Sequence, residues 1–343
     1  MASSNLVMPA EWQPHSKTWM AWPSSGYTLG DTEDDWHEAR STWAAVANAI
    51  VRFEPVSMLC QIEDLEIART YLDERVELIE AALDDAWMRD IGPTFVRNRE
   101  SGELVAANWI FNGWGAQSWA SWVNDARVAR FIGAHEGAPV EDSWLVNEGG
   151  GIHVNGAGTV LLTETVQLGE GRNAGSNKDA VEQEIHRILG TERAIWIKRG
   201  LTRDYDEFGT RGHIDIVACF ADENTILYHD LQNPEHPDFE VSREVRGTLE
   251  AAGDFKLVAL PAPKVLRDDE TDPESWVDYS YINHYICNGA VILCAFDDEN
   301  DEVAKGILEQ VYPGREIVLV HARPLFARGG GIHCITQQQP LST

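Results

Sequence analysis

The sequence has no apolar run long enough to cross a membrane as a helix; its longest candidate, 290–296, has the length of a strand. Residues 1–17 contain Pro9, Glu11 and Pro14 and lack the apolar segment of a secretory signal. Basic residues are few: 27 Lys and Arg stand against 56 Asp and Glu, so the formal net charge is −29. Nucleic acid and anionic membrane surfaces repel so acidic a chain, and we expect neither as a partner.

Cysteines are also few, with five in 343 residues and no Cys-x-x-Cys pair. Their odd number and long spacings argue against a disulfide framework and predict a reducing compartment, the cytoplasm. The His-Glu-x-x-His and Cys/His spacings of zinc sites are missing, as are the glycine-rich loops of nucleotide-binding folds. Metal and nucleotide chemistry therefore lack their usual signatures here.

Apolar residues make up 43% of the chain, which is ample for a large core. No low-complexity stretch or Pro/Ser-rich linker divides the sequence, so we expect residues 1–343 to form one domain. The sequence leaves homo-oligomerisation open.

Internal repetition predicts the architecture. The pentapeptide Gly-Gly-Gly-Ile-His occurs at 149–153 and again at 329–333. Strand-like segments recur roughly every 60–70 residues with helical patterns between them, giving about five units of two or three strands and one helix. Such units predict an α/β fold closed into a five-bladed pseudo-symmetric propeller, whose loops converge at one end; an ordinary α/β sandwich is the alternative. Caps, period and stop signals predict helices after Asn177, around Phe239 and after Asn300, and residues 32–53 are expected to form a longer helix. β-branched runs predict strands at 258–260, 290–295 and 316–320.

Cys334 differs from the other four cysteines, which lie inside apolar runs. It follows the triple-glycine turn that ends at Gly331, where the backbone can approach a ligand closely, and it precedes polar residues 336–339. We expect a strand from Cys334 to Thr336, with the thiol at the lip of a pocket. Most buried free cysteines only fill space, so this position alone does not identify a nucleophile.

A cysteine nucleophile needs a partner that transfers protons, and His213 is the best candidate. The β-branched flanks of His213-Ile-Asp215 predict a strand, on which residues i and i+2 face one cavity. Asp215 would then bind substrate beside the histidine. A buried histidine paired with a carboxylate for purely structural reasons is the alternative.

Two further carboxylates point to a cationic substrate. Glu148 precedes the first triple-glycine turn and can orient His213, while Asp90 lies in an apolar setting beside Arg89. Buried carboxylates are costly unless a cation neutralises them, and a planar guanidinium can bind two of them at once. Trp87 and Trp114, among thirteen tryptophans, could exclude water and stack on such a cation, although core packing is the commoner role of tryptophan.

These motifs resemble the agmatine deiminase family of the guanidino-modifying pentein superfamily. The most specific segment is Gly329-Gly-Gly-Ile-His-Cys-Ile-Thr-Gln-Gln338, and the resemblance spans nearly the whole chain. The other matching segments are 8–15, 18–23, 85–93, 148–154, 212–215 and 296–298.

The resemblance implies a five-bladed propeller that hydrolyses agmatine to N-carbamoylputrescine and ammonia, a step of putrescine biosynthesis, without a metal or an organic cofactor. Carried over by position, Cys334 would be the nucleophile and His213 the general acid and base, with Glu148 as the partner of the histidine. Asp90 and Asp215 would clamp the guanidinium, and we add Trp87, Trp114 and Gly331 as candidate substrate contacts.

The far end of the substrate is left open by the sequence. In the loop that precedes His213, Asp204, Asp206 and Glu207 could receive an ammonium, whereas Arg203 or Arg211 could receive a carboxylate. Free arginine, peptidyl-arginine or another guanidino compound therefore stays an alternative substrate, and amidino transfer to an amine an alternative reaction. A non-catalytic binding scaffold and a papain-like protease fit the motifs less well.

Overall fold

A computed structural model describes residues 5–269 and 271–342 of the chain. Strands and helices alternate along it. The strands are β1 Leu6–Val7, β2 His15–Ala21, β3 Val56–Cys60, β4 Glu77–Glu80, β5 Thr94–Asn98, β6 Leu104–Ile110, β7 Val140–Val146, β8 Ile152–Val154, β9 Thr159–Thr163, β10 Arg193–Ile197, β11 Ala218–Asp222, β12 Thr225–Asp230, β13 Lys256–Pro261, β14 Tyr285–Cys287, β15 Ala290–Ala295, β16 Glu316–His321 and β17 Gln337–Pro340.

The helices include the four that the sequence predicts. Thr32 caps the first long helix in a capping box with Asp35, and the Asn177 side chain accepts from Ala180 N. The helices are α1 Gly26–Leu29, α2 Glu33–Ile50, α3 Leu65–Tyr71, α4 Met88–Ile91, α5 Gly113–Ala116, α6 Val128–His135, α7 Glu164–Gln167, α8 Lys178–Leu189, α9 Asp238–Ala252, α10 Asn300–Val311 and α11 Arg323–Phe326. None of the described helices is long and apolar enough to span a membrane.

The strands form five sheets of the same plan, so the α/β class is confirmed. The sheet orders are β17-β2-β3-β4, β1-β5-β6-β7, β10-β9-β8, β11-β12-β13 and β14-β15-β16. Each sheet contains an antiparallel pair followed by a parallel pair, and α2, α6, α8, α9 and α10 each lie in one parallel crossover of the five sheets. A sixth parallel crossover, from β3 to β4, contains α3. The repeated unit of strands and one helix is therefore confirmed.

The last strand, β17, pairs with β2 from the first part of the sequence. Strand β17 pairs antiparallel with β2, so that Gln337 lies opposite Trp19, and the Trp19 indole donates to the Gln339 side chain at 2.7 Å. This pairing fixes the turn 332–335 immediately before β17. Cys334 is thereby held beside the sheet β17-β2-β3-β4, whose other strands come from the first 80 residues of the sequence.

Two local predictions are wrong. The segment after His213 is a 3-10 turn, Ile214–Ile216, because the Asp204 carboxylate accepts the backbone N–H groups of Gly212 and His213 and draws the chain out of a ladder. Cys334 lies in a turn and not in a strand, because Thr336 N and Oγ1 bond back to the carbonyls of residues 333 and 332. The strand begins only at Gln337.

Candidate active site

Five of the predicted side chains, drawn from four separate segments, converge in the interior. Asp90 belongs to the short helix α4, and Glu148 precedes the 3-10 turn 149–151. His213 and Asp215 flank the start of the turn 214–216, and Cys334 lies in the turn before β17. All five are buried. Glycine-rich turns at 149–151 and 329–331 let these segments approach closely.

The Cys334 thiol lies beside a carboxylate and an amide. Its Sγ is 3.5 Å from Asp215 Oδ2 and 3.3 Å from Asn283 Nδ2, and the Cys334 carbonyl accepts from Arg89 N at 3.0 Å. Burial, followed by the charges of Asp215 and Asp90, raises the pKa of the Cys334 thiol well above its ordinary value. The free protein therefore carries a thiol and not a thiolate at neutral pH.

His213 is held by a carboxylate that is itself held by an arginine. His213 Nε2 lies 3.3 Å from Glu148 Oε2, and Arg172 Nε donates to the two Glu148 oxygens at 3.1 and 3.0 Å. Burial disfavours the imidazolium, but Asp90 and the hydrogen-bonded Glu148 outweigh it and raise the pKa of His213 to about 9. Burial also opposes ionisation of Glu148, yet Arg172 and His213 hold the pKa of Glu148 below its ordinary value.

Asp90 faces the other ring nitrogen of His213. Its Oδ1 lies 3.9 Å from His213 Nδ1 and accepts from Gly150 N at 3.0 Å, and its Oδ2 accepts from the Trp114 indole at 2.8 Å. Burial, with the nearby charges of Glu148 and Asp215, raises the pKa of Asp90 although His213 acts against this. No hydrogen-bond partner of His213 Nδ1 is found among the described residues, so this nitrogen is free to exchange a proton with a ligand.

Asp215 is fixed on one side and open on the other. His333 Nδ1 donates to Asp215 Oδ2 at 2.8 Å, whereas Oδ1 has no hydrogen-bond partner among residues 5–269 and 271–342. Burial raises the pKa of Asp215, but the hydrogen bond and charge of His333 exceed that effect and hold it below its ordinary value. Asp215 therefore stays ionised and offers one oxygen to a cation.

The three remaining predicted residues border this cluster. Trp114 reaches it directly through Asp90, and its ring stacks on Trp119 at a centroid distance of 5.3 Å. Trp87 is buried and packs edge-on against Trp43. Gly331 packs so tightly that a Cβ there would lie 2.4 Å from Asn283 Oδ1. Substrate contact by Trp87, Trp114 and Gly331 stays a prediction.

Asn283, Arg172, Glu11 and His333 complete the site and were not found as functional residues by sequence reasoning. Asn283 gave no usable signal, because it lies in a mixed polar and aromatic segment, 278–288, that matches no catalytic motif. The repeated Gly-Gly-Gly-Ile-His pentapeptide did carry a signal for His333, since a copy of the same histidine, His153, approaches the same glutamate.

Within the described residues, Glu11, His153 and His333 form one group whose possible metal-binding atoms lie within 4.8 Å of one another. His153 Nδ1 accepts the backbone N–H of Phe220 at 3.2 Å, so its proton is on Nε2, which faces Glu11. His333 Nε2 also donates to Glu11, at 2.9 Å. His153 Nε2 lies 3.7 Å from Glu11 Oε2, so the charge of this one glutamate accounts for the close approach of both rings without an ion. The absence of a metal and of an organic cofactor from the reaction stays a prediction.

A cleft of about 630 Å³ lies beside Trp114. Its wall includes Glu170, Arg172, Tyr205 and Arg211. Because Trp114 bonds to Asp90 on its inner side, this cleft borders the carboxylate cluster. Its volume and its position beside Trp114 suit it to the distal part of a substrate.

The charged residues of the loop before His213, which were considered as contacts for that distal part, have different surroundings in the structure. Asp204 is buried and accepts from Thr210 N and Gly212 N, both at 2.6 Å, so its carboxylate holds its own loop. Arg203 forms an ion pair with Asp268. Arg211 lines the cleft and donates to Gln117 Oε1 at 3.0 Å, while Asp206 and Glu207 are exposed at the surface.

Fold and site together define an α/β protein with a buried cysteine, a histidine and three carboxylates arranged around one point. The chain belongs to the Porphyromonas-type peptidyl-arginine deiminase family, whose model matches residues 7–340. A putative agmatine deiminase of Streptomyces coelicolor is 54% identical over 97% of this chain and 98% of its own length. The agmatine deiminase of Stutzerimonas stutzeri is 36% identical over 97% and 95%. The solved structure of the Enterococcus faecalis agmatine deiminase covers 100% of this chain and 99% of its own, at 30% identity and a TM-score of 0.91.

Proposed function

We propose that this protein is an agmatine deiminase that hydrolyses the guanidinium of agmatine to N-carbamoylputrescine and ammonia. The observation that carries the proposal is the convergence of Cys334, His213 and two carboxylates, Asp90 and Asp215, in one buried site where a cation would offset their charges. The names of the relatives support the same substrate. We also propose that the five sheets are the blades of a propeller formed by one catalytic domain, and that the enzyme acts in the cytoplasm; the five free cysteines fit that location.

The binding step uses charge. A planar guanidinium can donate to the unpaired Asp215 Oδ1 on one side and to Asp90 on the other, which offsets the cost of keeping two buried carboxylates. The clamp orients the central carbon toward Cys334 Sγ, 3.5 Å from Asp215 Oδ2. Such positioning converts an encounter into an effectively unimolecular attack.

The chemistry proceeds in two halves. As the cation binds, the Cys334 thiol releases its proton to solvent, and the thiolate that the cation stabilises adds to the guanidinium carbon. His213, an imidazolium at neutral pH, gives its proton to the departing nitrogen, so that ammonia leaves and an amidino-thioether retains the rest of the substrate. Neutral His213 then takes a proton from water, which attacks the same carbon. The Cys334–carbon bond breaks, the proton of the added hydroxyl passes to the departing sulfur, and the ureido product and the Cys334 thiol are released.

A substrate panel tests the proposed function. The purified protein is incubated with agmatine, free arginine, a peptidyl-arginine and a simple alkylguanidine, and ammonia and ureido product are measured as kcat/KM. We expect agmatine to give the highest value. Turnover of another guanidine without turnover of agmatine would contradict the substrate and leave the chemistry intact, and product formed only with an added amine would indicate amidino transfer.

The ionisation of Cys334 gives a prediction that needs no turnover. Because burial and the Asp215 charge keep Cys334 protonated, neutral chloroacetamide should alkylate it slowly. Chloroacetamidine has nearly the same shape but carries a cation that the carboxylates attract, so it should react at least about 100-fold faster at pH 7. Peptide mass spectrometry locates the modified thiol. Equal rates for the two reagents would contradict cation-assisted formation of the thiolate.

A further inference from the structure

The repeated pentapeptide brings two histidines to one buried glutamate. His153 Nε2 lies 3.7 Å from Glu11 Oε2, and His333 Nε2 lies 2.9 Å from Glu11 Oε1, with the two rings 6.3 Å apart. Only the second copy of the pentapeptide is followed by a cysteine, and only its histidine also contacts Asp215. The two copies therefore place their histidines at the same glutamate, and one of them also reaches the reacting groups.

His333 has a carboxylate on each side of its ring. Nδ1 lies 2.8 Å from Asp215 Oδ2 and Nε2 lies 2.9 Å from Glu11 Oε1. Ionised carboxylates only accept hydrogen bonds, so both ring nitrogens must donate and His333 is an imidazolium. Burial and Arg89 oppose this charge, but Glu11 and Asp215 prevail and raise the pKa of His333.

We propose that His333 is a positioning residue that keeps Asp215 charged and turned toward the substrate, with Glu11 as its anchor. This inference rests on the proposed function, because it assigns a task to the guanidinium clamp. His333 occupies Asp215 Oδ2 and leaves Oδ1 open. Glu11 is fixed in turn by Arg89 Nη1 at 3.3 Å.

The charge balance around Asp215 explains why a cation is needed there. Among the described residues, the charged and titratable groups around it are His333, His213, Arg89, Cys334, Asp90 and the two buried thiols of Cys219 and Cys294. His333 Nδ1 donates to Asp215 Oδ2 at 2.8 Å, and the Cys334 thiol donates to the same oxygen at the longer distance of 3.5 Å, so His333 is the cation in hydrogen-bond contact with this carboxylate. Without an imidazolium at 333, the Asp215 charge would be less stabilised and the group would take up a proton at higher pH.

Two substitutions of His333 separate its hydrogen bonds. In His333→Asn the amide nitrogen replaces Nδ1 and can still donate to Asp215, whereas in His333→Gln it replaces Nε2 and can donate only to Glu11. Neither variant has the positive charge of the His333 imidazolium. We expect the acid limb of kcat/KM to move up by about one pH unit or more in both variants. We expect kcat/KM at the optimum to fall about 10- to 100-fold in His333→Gln and by less in His333→Asn.

The matched control is His153→Gln, the same change in the other copy of the pentapeptide. It should lower the melting temperature, because it removes the acceptor of Phe220 N, and leave the acid limb where it is. Glu11→Gln removes the anchor from the far side and should shift the acid limb in the same direction by a smaller amount. If the His333 variants do not fold, the position of the acid limb in Glu11→Gln tests the proposal instead.

The pH dependence of Cys334 alkylation by chloroacetamidine is measured on the same variants, because it needs the clamp but no hydrolysis. An acid limb at its wild-type pH in folded His333→Asn and His333→Gln, in both assays, would overturn the positioning role. Failure of the wild-type protein to turn over any guanidine would refute the proposed function instead, and the alkylation profile would still decide whether His333 controls Asp215.

Discussion

Replacing Cys334 with serine should lower kcat for agmatine by at least about 10⁴-fold, close to complete loss of turnover. A serine hydroxyl in the same place is a far weaker nucleophile, because its pKa lies too high for the bound cation to ionise it. Substrate should still bind, since Asp90 and Asp215 are untouched. The measurement is steady-state ammonia release together with a binding isotherm for agmatine.

Cys60→Ser is the matched control for this substitution. Cys60 is also a buried free cysteine, but it lies in β3 and its thiol donates only to the neighbouring Gln61 carbonyl in the structure. Its serine variant should lose some stability and keep kcat. Substantial activity in folded Cys334→Ser would exclude Cys334 as the nucleophile.

His213→Gln should lower kcat by about 10³- to 10⁵-fold with a much smaller change in KM. His213 transfers a proton in each half of the reaction, and a single positioned transfer contributes about 10²- to 10⁴-fold. The glutamine amide can keep the hydrogen bond to Glu148, which lies 3.3 Å from His213 Nε2, so the pocket should keep its shape. Steady-state kinetics and a melting curve separate lost chemistry from lost folding.

Glu148→Gln provides the companion measurement. Wild-type His213 has a pKa raised to about 9, so activity that needs the imidazolium is fully present well below that pH and is lost as the pH rises through it. Removing the Glu148 charge lowers the pKa of His213, and the basic limb of kcat/KM should move to lower pH. A basic limb that does not move in Glu148→Gln would contradict the assignment of that limb to His213.

The sequence predicted the repeated unit well because helix and strand signals are local. The cap at Asn177 and the run 290–295 depend on neighbouring residues only, and the structure has the corresponding elements. The segments after His213 and at Cys334 were predicted wrongly as strands. There the decisive contacts are made by Asp204 and Thr336 side chains with backbone groups, and these contacts override the β-branched pattern.

The candidate site could be predicted where residues lie in dense motifs, as Asp90, Glu148, His213, Asp215 and Cys334 do. The groups that surround them could not, since their partners are far away in sequence. Glu11 and His333 are 322 residues apart, and Asn283 is 51 residues from Cys334. Only the folded chain shows that the His333 imidazolium donates a hydrogen bond to Asp215. It also shows that, among the described residues, no cationic side chain is hydrogen-bonded to Asp90, since His213 Nδ1 lies 3.9 Å away.

The most direct test of the account is the mass of the Cys334 peptide after acid quenching during turnover of agmatine. We predict that this peptide gains the mass of agmatine less ammonia, because ammonia leaves first and the alkyl chain stays on the amidino-thioether. A peptide that gained only the bare amidino group would indicate loss of the amine and amidino transfer. An unmodified Cys334 peptide at every quench time, with product still forming, would contradict covalent catalysis by Cys334.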